Sequence, residues 1–176
     1  MTESIIIKTP SSTLRSWTKE DAPSLVKYAD NPKIAGNMRD RFPHPYTLTD
    51  AERFITMATT TTKALLLAIE VNGEAAGAIG ITPLNDEYKK TAEIGYWLAE
   101  PYWGRGIMTD VVKAVVPVAF EHFDIVRIQA GVYSKNPASM RVLEKAGFER
   151  EAVHKKTVFK NGVVMDEVVF VRFLEE

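Results

Sequence analysis

The stretch AEPYWGRGIMTDVV, residues 99–112, decides the fold. An apolar run, residues 91–98, leads into it and stops at Pro101. Gly104-Arg105-Gly106 follows, and the residues after it carry helical spacing at Met108, Val111, Val112, Val115, Val118 and Ala119. The unit is therefore strand, glycine turn, core helix. Such a turn opens a dinucleotide site, cradles another phosphate ligand, or only reverses the chain.

Two of these meanings meet specific objections. The dinucleotide fingerprint G-x-G-x-x-G/A has Thr109 at its third position. Asp124 lies about twenty residues on, the interval expected of the ribose-binding acid, but it precedes the next strand instead of ending it. The fingerprint also opens its fold, whereas some 90 residues come first here. No Lys-Ser or Lys-Thr follows a G-x-x-x-x-G spacing, so a P-loop is excluded. A bare turn accounts for the glycines. It accounts less well for a side-chain-free backbone at a helix start, where N–H donors and the positive dipole end suit a phosphate or pyrophosphate.

Working outward, residues 125–133 read as a strand with Val126, Ile128, Ala130 and Val132 on one face. NPASMRVLEKAGF follows as a second helix, with Asn136 as N-cap, Pro137 at N1 and Gly147 at the C-terminal left-handed position. If the strands on either side of the first helix are parallel neighbours, both helices start on one sheet edge and flank one crevice. Upstream, Asn72-Gly73 makes a hairpin of residues 64–84, and Asn161-Gly162 makes another of the C-terminal residues. Short strands at Ile5–Ile7 and Leu14–Trp17 precede a helix that Thr18 caps and Pro32 stops. Residues 33–47 form an irregular loop, and a further helix begins at Thr49 or Asp50. Pro117 is expected to weaken the core helix locally. The result is an α/β (α+β) fold, a mixed and mostly antiparallel sheet with helices on both faces.

Composition bounds the function. The 176 residues carry a net charge of −1, so neither nucleic acid nor an anionic membrane is expected as a partner. There is no cysteine, which removes disulfides, thiolate metal sites and a catalytic thiol. His44, His122 and His154 lack metal-ligand spacing, so no metal is expected. MTESIIIKTPSS has too short an apolar core for a signal peptide, and no run approaches the ~20 residues of a membrane span. A cytoplasmic protein is expected, as monomer or homodimer.

EIGYWLAEPYWGRGIMTDVV followed by NPASMRVLEKAGF resembles the GNAT N-acetyltransferase superfamily, in its RimJ/RimL-type branch. The resemblance spans roughly residues 12–174 by element order, and its specific part is Glu93 to Phe148. It implies a single N-acetyltransferase domain over residues 1–176, with acetyl-CoA as cosubstrate and a protein N-terminus or small amine as acceptor. Against the family's Q/R-x-x-G-x-G/A loop, Trp103 holds the first position, Gly106 the central glycine and Met108 the last. Trp and Met are departures. The resemblance still implies that backbone amides of Gly104, Arg105, Gly106, Ile107, Met108 and Thr109 hold the pyrophosphate. The second motif, N-x-x-S-x-x-x-x-E-K-x-G-F, matches from Asn136 to Phe148. It implies that Asn136 contacts the pantetheine arm and that Ser139 lies near the thioester sulfur. Many members carry a Tyr before the Glu to protonate the leaving thiolate. Leu143 stands there, so that role is vacant or falls to Ser139, Tyr133 or water. The resemblance also implies that strands 91–98 and 125–133 splay, letting pantetheine bond the backbone near Trp97 and Leu98.

A thioester is already activated, so direct attack by an amine in a ternary complex needs no covalent enzyme intermediate. An alkyl ammonium has a pKa of about 10, so a base must take a proton. Glu93, on the face of Gly95 and Trp97, is the first candidate, against a salt-bridged strand Glu. The N–H near Leu98 and Ser139 are candidate oxyanion donors, although a Ser at N3 is often only a cap. His122 suits the C-terminal dipole of its helix, and His44 and His154 read as loop or surface residues. Acceptor recognition is expected in NMRDRFPHPYT, through Arg39, Arg41, Phe42 and Tyr46, with Tyr133 nearby. Packing explains each of these alone as well. A non-catalytic acyl-CoA-binding module is the competing reading, and a nicotinamide oxidoreductase a distant third.

Overall fold

Two Asn-Gly turns and one helical crossover set the sheet. The computed structural model describes residues 5–175. Residues 1–4 of the segment read above against a signal peptide lie outside it. Asn72 and Gly73 sit at φ 51° and 80°, and Asn161 and Gly162 at 51° and 78°, the two positive values a type I′ turn requires. The first joins β3 (Leu65–Val71) to β4 (Glu74–Pro83), and the second joins β7 (Glu149–Lys160) to β8 (Val163–Phe173). Among the described residues, β1 (Ile6–Lys8), β2 (Thr13–Arg15), β5 (Thr91–Leu98) and β6 (Arg127–Tyr133) complete an eight-stranded sheet in the order β1-β2-β3-β4-β5-β6-β8-β7. Neighbours run antiparallel throughout except β5 and β6, which are parallel and are joined over the sheet by α4 (Ile107–His122).

Helices cover both faces, as expected. α4 buries Val111, Val112, Val115, Val116 and Ala119 against Ala92, Ile94, Ile128 and Ala130. Each fully buried valine contributes about 1.5–3 kcal/mol. α5 (Pro137–Lys145) adds Leu143 to the same core. On the opposite face, α1 (Ala22–Ala29) and α3 (Leu48–Thr60) pack Leu25, Ala51 and Ile55 against Ala68, Ala78 and Trp97. Strand alternation thus divides β5: Ala92, Ile94 and Leu98 serve the α4 face, whereas Trp97, with Glu93 in phase, serves the α1 face.

Several boundaries differ from the sequence expectation. α3 is capped by Thr47, not Thr49 or Asp50. Asp50 sits at N3 of a capping box, its carboxylate accepting from the Thr47 N–H at 2.9 Å. The Thr18 start opens on a 3-10 turn, Lys19–Asp21, because Pro23 lacks the N–H that an earlier α start would use. Pro32 does more than stop a helix: with Asn31 as cap it starts α2 (Pro32–Ala35). The second strand ends at Arg15. Val126 precedes β6 and is half exposed, its N–H bonding the Lys90 carbonyl at 2.9 Å, so it leaves the buried row of Ile128, Ala130 and Val132. α4 runs unbroken through Pro117.

Candidate functional site

The β5–β6 ladder has three rungs, ending at Glu93 opposite Gln129, and beyond it the strands part. Which backbone groups line the gap follows from alternation. Ala99 N–H bonds Ala76 on β4 and Ser134 N–H bonds Asp166, so these residues face away from the gap. Ile94, Tyr96 and Leu98 therefore present their backbone to the gap from one side, and Gly131 and Tyr133 from the other. Trp97 has its carbonyl against Gly77 of β4, which corrects the expectation that Trp97 offers its backbone here. The Leu98 carbonyl is also taken: Trp103 Nε1 donates to it at 2.7 Å. Its N–H is the group left facing the gap.

Each side of the gap ends in a helix start. On the β5 side, Gly104 and Gly106 lie at φ 73° and 75°, with open space where a Cβ would be, so backbone conformation and not crowding demands glycine. Gly106 is the N-cap of α4, and the N–H groups of Ile107, Met108 and Thr109 have no intrahelical partner. The side chains of Ile107 and Met108 are core, so only their backbone can serve a ligand. Arg105 is exposed and lies over the Tyr102 ring at 5.6 Å. On the β6 side, Asn136 donates its N–H to the Tyr133 carbonyl at 2.8 Å and accepts from the Ser139 N–H at 3.3 Å. The expected cap is present. Ser139 is more than a capping residue, because its Oγ lies 2.8 Å from the Tyr96 hydroxyl.

The α1 face of the sheet at the gap opens into a cavity of about 210 Å³ lined by Arg39, Glu93, Gln129, Gly131, Glu167 and their neighbours. A loop from α2 to α3 roofs it. Arg39 reaches Glu93 at 3.2 Å, and Asp40 reaches Lys160 at 2.8 Å on the far hairpin. Gly131 leaves the space that the Glu167 carboxylate fills, since a Cβ there would come within 2.6 Å of it. Arg127 pairs with Glu151 at the cavity's rim. Arg39 and Glu93 are 62% and 39% exposed along their side chains, so their single contact is weak and leaves the carboxylate accessible.

The remaining predicted residues divide. Arg41 is exposed, and Tyr133 is partly buried where β6 ends. Tyr46 is corrected: it is 5% exposed in the core beneath the loop, and burial pushes its phenol up to about 12. Phe42 is partly buried between Tyr46 and Trp97, packing at 5.2 and 6.1 Å, and supports the loop from below. His122 packs on Phe123, His44 faces Asp30 at 3.5 Å, and His154 lines the cavity near Glu167 at 3.7 Å. Among the described residues, no group of three or more His, Cys, Asp or Glu could hold a metal ion, and no helix is long and apolar enough to cross a membrane. Sequence reasoning missed Tyr96, Glu167 and Lys160. Strand phase marks Tyr96 for the α5 face, but its partner Ser139 is 43 residues on.

An open sheet parted at a parallel pair, with a glycine turn and a capped helix start on its two lips, forms a cleft whose free backbone N–H groups suit an extended, phosphorylated ligand. The sequence matches the acetyltransferase (GNAT) domain over residues 12–149, and the chain belongs to that family. It is 50% identical over 80 residues to the probable N-acetyltransferase YjcK of Bacillus subtilis (strain 168), covering 46% of this chain and 44% of that protein. It is 33% identical over 95 residues to the ribosomal-protein-serine acetyltransferase of Escherichia coli (strain K12), covering 54% and 51%. These matches span about half the length of each relative. The fold superposes with a TM-score of 0.84 on RimL, a ribosomal L7/L12 alpha-N-protein acetyltransferase solved in complex with coenzyme A, at 23% identity over 97% of this chain and 98% of that one.

Proposed function

We propose that the protein is an acetyl-CoA-dependent N-acetyltransferase that acetylates a primary amine, either a protein N-terminal α-amine or a small-molecule amine, by direct attack in a ternary complex. One observation carries this reading: the gap opens on one face to the glycine turn and on the other to a cavity that holds Glu93. Pantetheine bonds the edge of β5 at Tyr96, beside Leu98. The amides of residues 104–109 bind the pyrophosphate, and Asn136 contacts the pantetheine arm. Glu93 takes the amine proton, directly or through water, as the nitrogen attacks. The Leu98 N–H stabilises the oxyanion, and Ser139 lies beside the thioester sulfur. Arg39 and Arg41 meet the acceptor at the cavity mouth. The relative named as a ribosomal-protein-serine acetyltransferase supports a protein acceptor, and the proposed site of action is the cytoplasm.

Thermal-shift measurements with acetyl-CoA, CoA, NAD and ATP, followed by thiol-release assays over amines and N-terminal peptides, test this. Stabilisation by the CoA species with thiol release is expected. No stabilisation of folded protein by either CoA species overturns the reading. The Arg39–Glu93 pair also fits a non-catalytic acyl-CoA-binding module, and stabilisation without thiol release on any amine would establish that instead.

A further inference from the structure

The departing thiolate of coenzyme A needs a proton, and Leu143, at the position where the family resemblance implies a tyrosine, is wholly buried in the core. We propose that Tyr96 supplies that proton, held in place by Ser139; the proposal rests on the acetyltransferase reading above. Tyr96 lies on β5 three residues past the last β5–β6 rung, so it stands within the parted region. Its side chain leaves the sheet on the α5 face, opposite to Glu93. The hydroxyl bridges the gap to Ser139 Oγ at 2.8 Å, joining β5 to the first turn of α5. Base and acid thus stand on opposite faces of the sheet, with the opening between them where the thioester must lie. Burial pushes the Tyr96 phenol up to about 12, partly offset by the Ser139 hydroxyl, so the phenol holds its proton at neutral pH. A sulfur anion formed in the same water-poor gap becomes more basic for the same reason.

The step balances. The amine nitrogen bonds the acetyl carbon and loses a proton to Glu93. The carbon–sulfur bond breaks, and sulfur takes the electron pair. The Tyr96 O–H proton passes to sulfur, giving free CoA thiol. On product release Glu93 gives its proton to solvent and the phenolate takes one back, so both groups return to their starting forms.

Hydroxylamine with acetyl-CoA isolates this step, because it is largely unprotonated at neutral pH and makes little demand on Glu93 or on acceptor recognition. Tyr96→Phe is expected to lower kcat at least tenfold with KM for acetyl-CoA unchanged. Replacing Tyr96 with a ring-fluorinated tyrosine, whose phenol is more acidic, is expected to bring the alkaline fall in kcat to lower pH. A hydroxyl that only braces α5 would not move that limb. Full activity in Tyr96→Phe, or a fluorotyrosine profile identical to wild type, overturns the assignment. Wild-type protein that binds acetyl-CoA yet releases no thiol with hydroxylamine overturns the acetyltransferase reading and this assignment with it, a result distinct from an active enzyme indifferent to Tyr96.

Discussion

The two mouths of the gap are built on different principles. The mouth at Gly104 to Thr109 and Asn136 to Ser139 is made of backbone: two glycines at positive φ, the unpaired amides of one helix and the capped start of another. The mouth under residues 36–47 is made of side chains from distant segments. Arg39 meets Glu93 54 residues on, and Asp40 meets Lys160 120 residues on. A backbone cradle suits a ligand with a fixed chemical handle, because its donors need only the fold to be aimed. A side-chain mouth can change charge and shape without disturbing the sheet. The expectation is a constant cosubstrate on one side and a chain-specific acceptor on the other.

The largest effect should come from the residue that connects the mouths. Glu93→Gln keeps size and hydrogen-bonding capacity but removes the proposed base. We expect turnover to fall by about 10²-fold or more, within the range general-base catalysis supplies, with acetyl-CoA affinity unchanged by calorimetry. Turnover equal to wild type across the pH range would refute the role. It would also move Glu93 into the structural class, as no more than a partner for Arg39.

Legibility follows the same division. The glycine turn, Asn136, Pro137 and Gly147 could be read because local backbone geometry restricts which residues stand at those places, and such restrictions are written in consecutive letters. The Asn-Gly hairpins and the parallel crossover were legible for that reason, and so was the mixed sheet they generate. The expected parting of β5 and β6 came from family resemblance, and the three-rung ladder agrees with it. Tyr46 misled because an aromatic in an irregular loop looks available when nothing in its neighbourhood shows the α1 and α3 core closing over it. Tyr96, Glu167 and Lys160 were missed because each gains its meaning from a partner on another element. The resemblance pointed to the backbone near Trp97 and Leu98 together, and strand alternation separates the two: the Trp97 carbonyl lies against β4, and its neighbours face the gap.

The backbone mouth should break by conformation. Gly106→Ala adds a Cβ where there is space, so any loss comes from the left-handed φ, which costs an ordinary residue about 1–2 kcal/mol. If the loop relaxes to avoid that cost, its amides turn away. Acetyl-CoA Kd is expected to rise about tenfold, the factor that ~1.4 kcal/mol corresponds to, with the acceptor KM at saturating cosubstrate little changed. Unchanged Kd would mean that these amides do not hold the cosubstrate, and the contrast between the mouths would lose its first half.

The acceptor mouth should respond in the opposite sense. Arg39→Ala removes a mostly exposed cation whose one contact is worth about 0–1 kcal/mol, so melting should barely move. The acceptor KM is expected to rise several-fold while acetyl-CoA Kd holds. Equal losses in both would point to a folding defect and would erase the distinction between the two sides.

The smallest effect, and the sharpest test of whether the loop is an adjustable rim, belongs to Lys160. Its side chain is buried along β7, but its partner Asp40 is 86% exposed, so breaking the pair strands no charge in the core. Lys160→Met keeps the packed stem and frees the loop's far anchor. The pair's ~0–1 kcal/mol corresponds to a drop in Tm of at most about 2–4 °C for a chain of this size. Proteolytic nicking within residues 36–47 should quicken, because Arg39 is then the remaining side-chain tie from the 39–40 segment to the sheet. Acetyl-CoA affinity should not change, since Lys160 touches neither lip of the backbone cradle. A drop in Tm several times larger would show that the loop is part of the core. Acceptor choice would then be fixed by the fold itself and not by a rim that can vary around it.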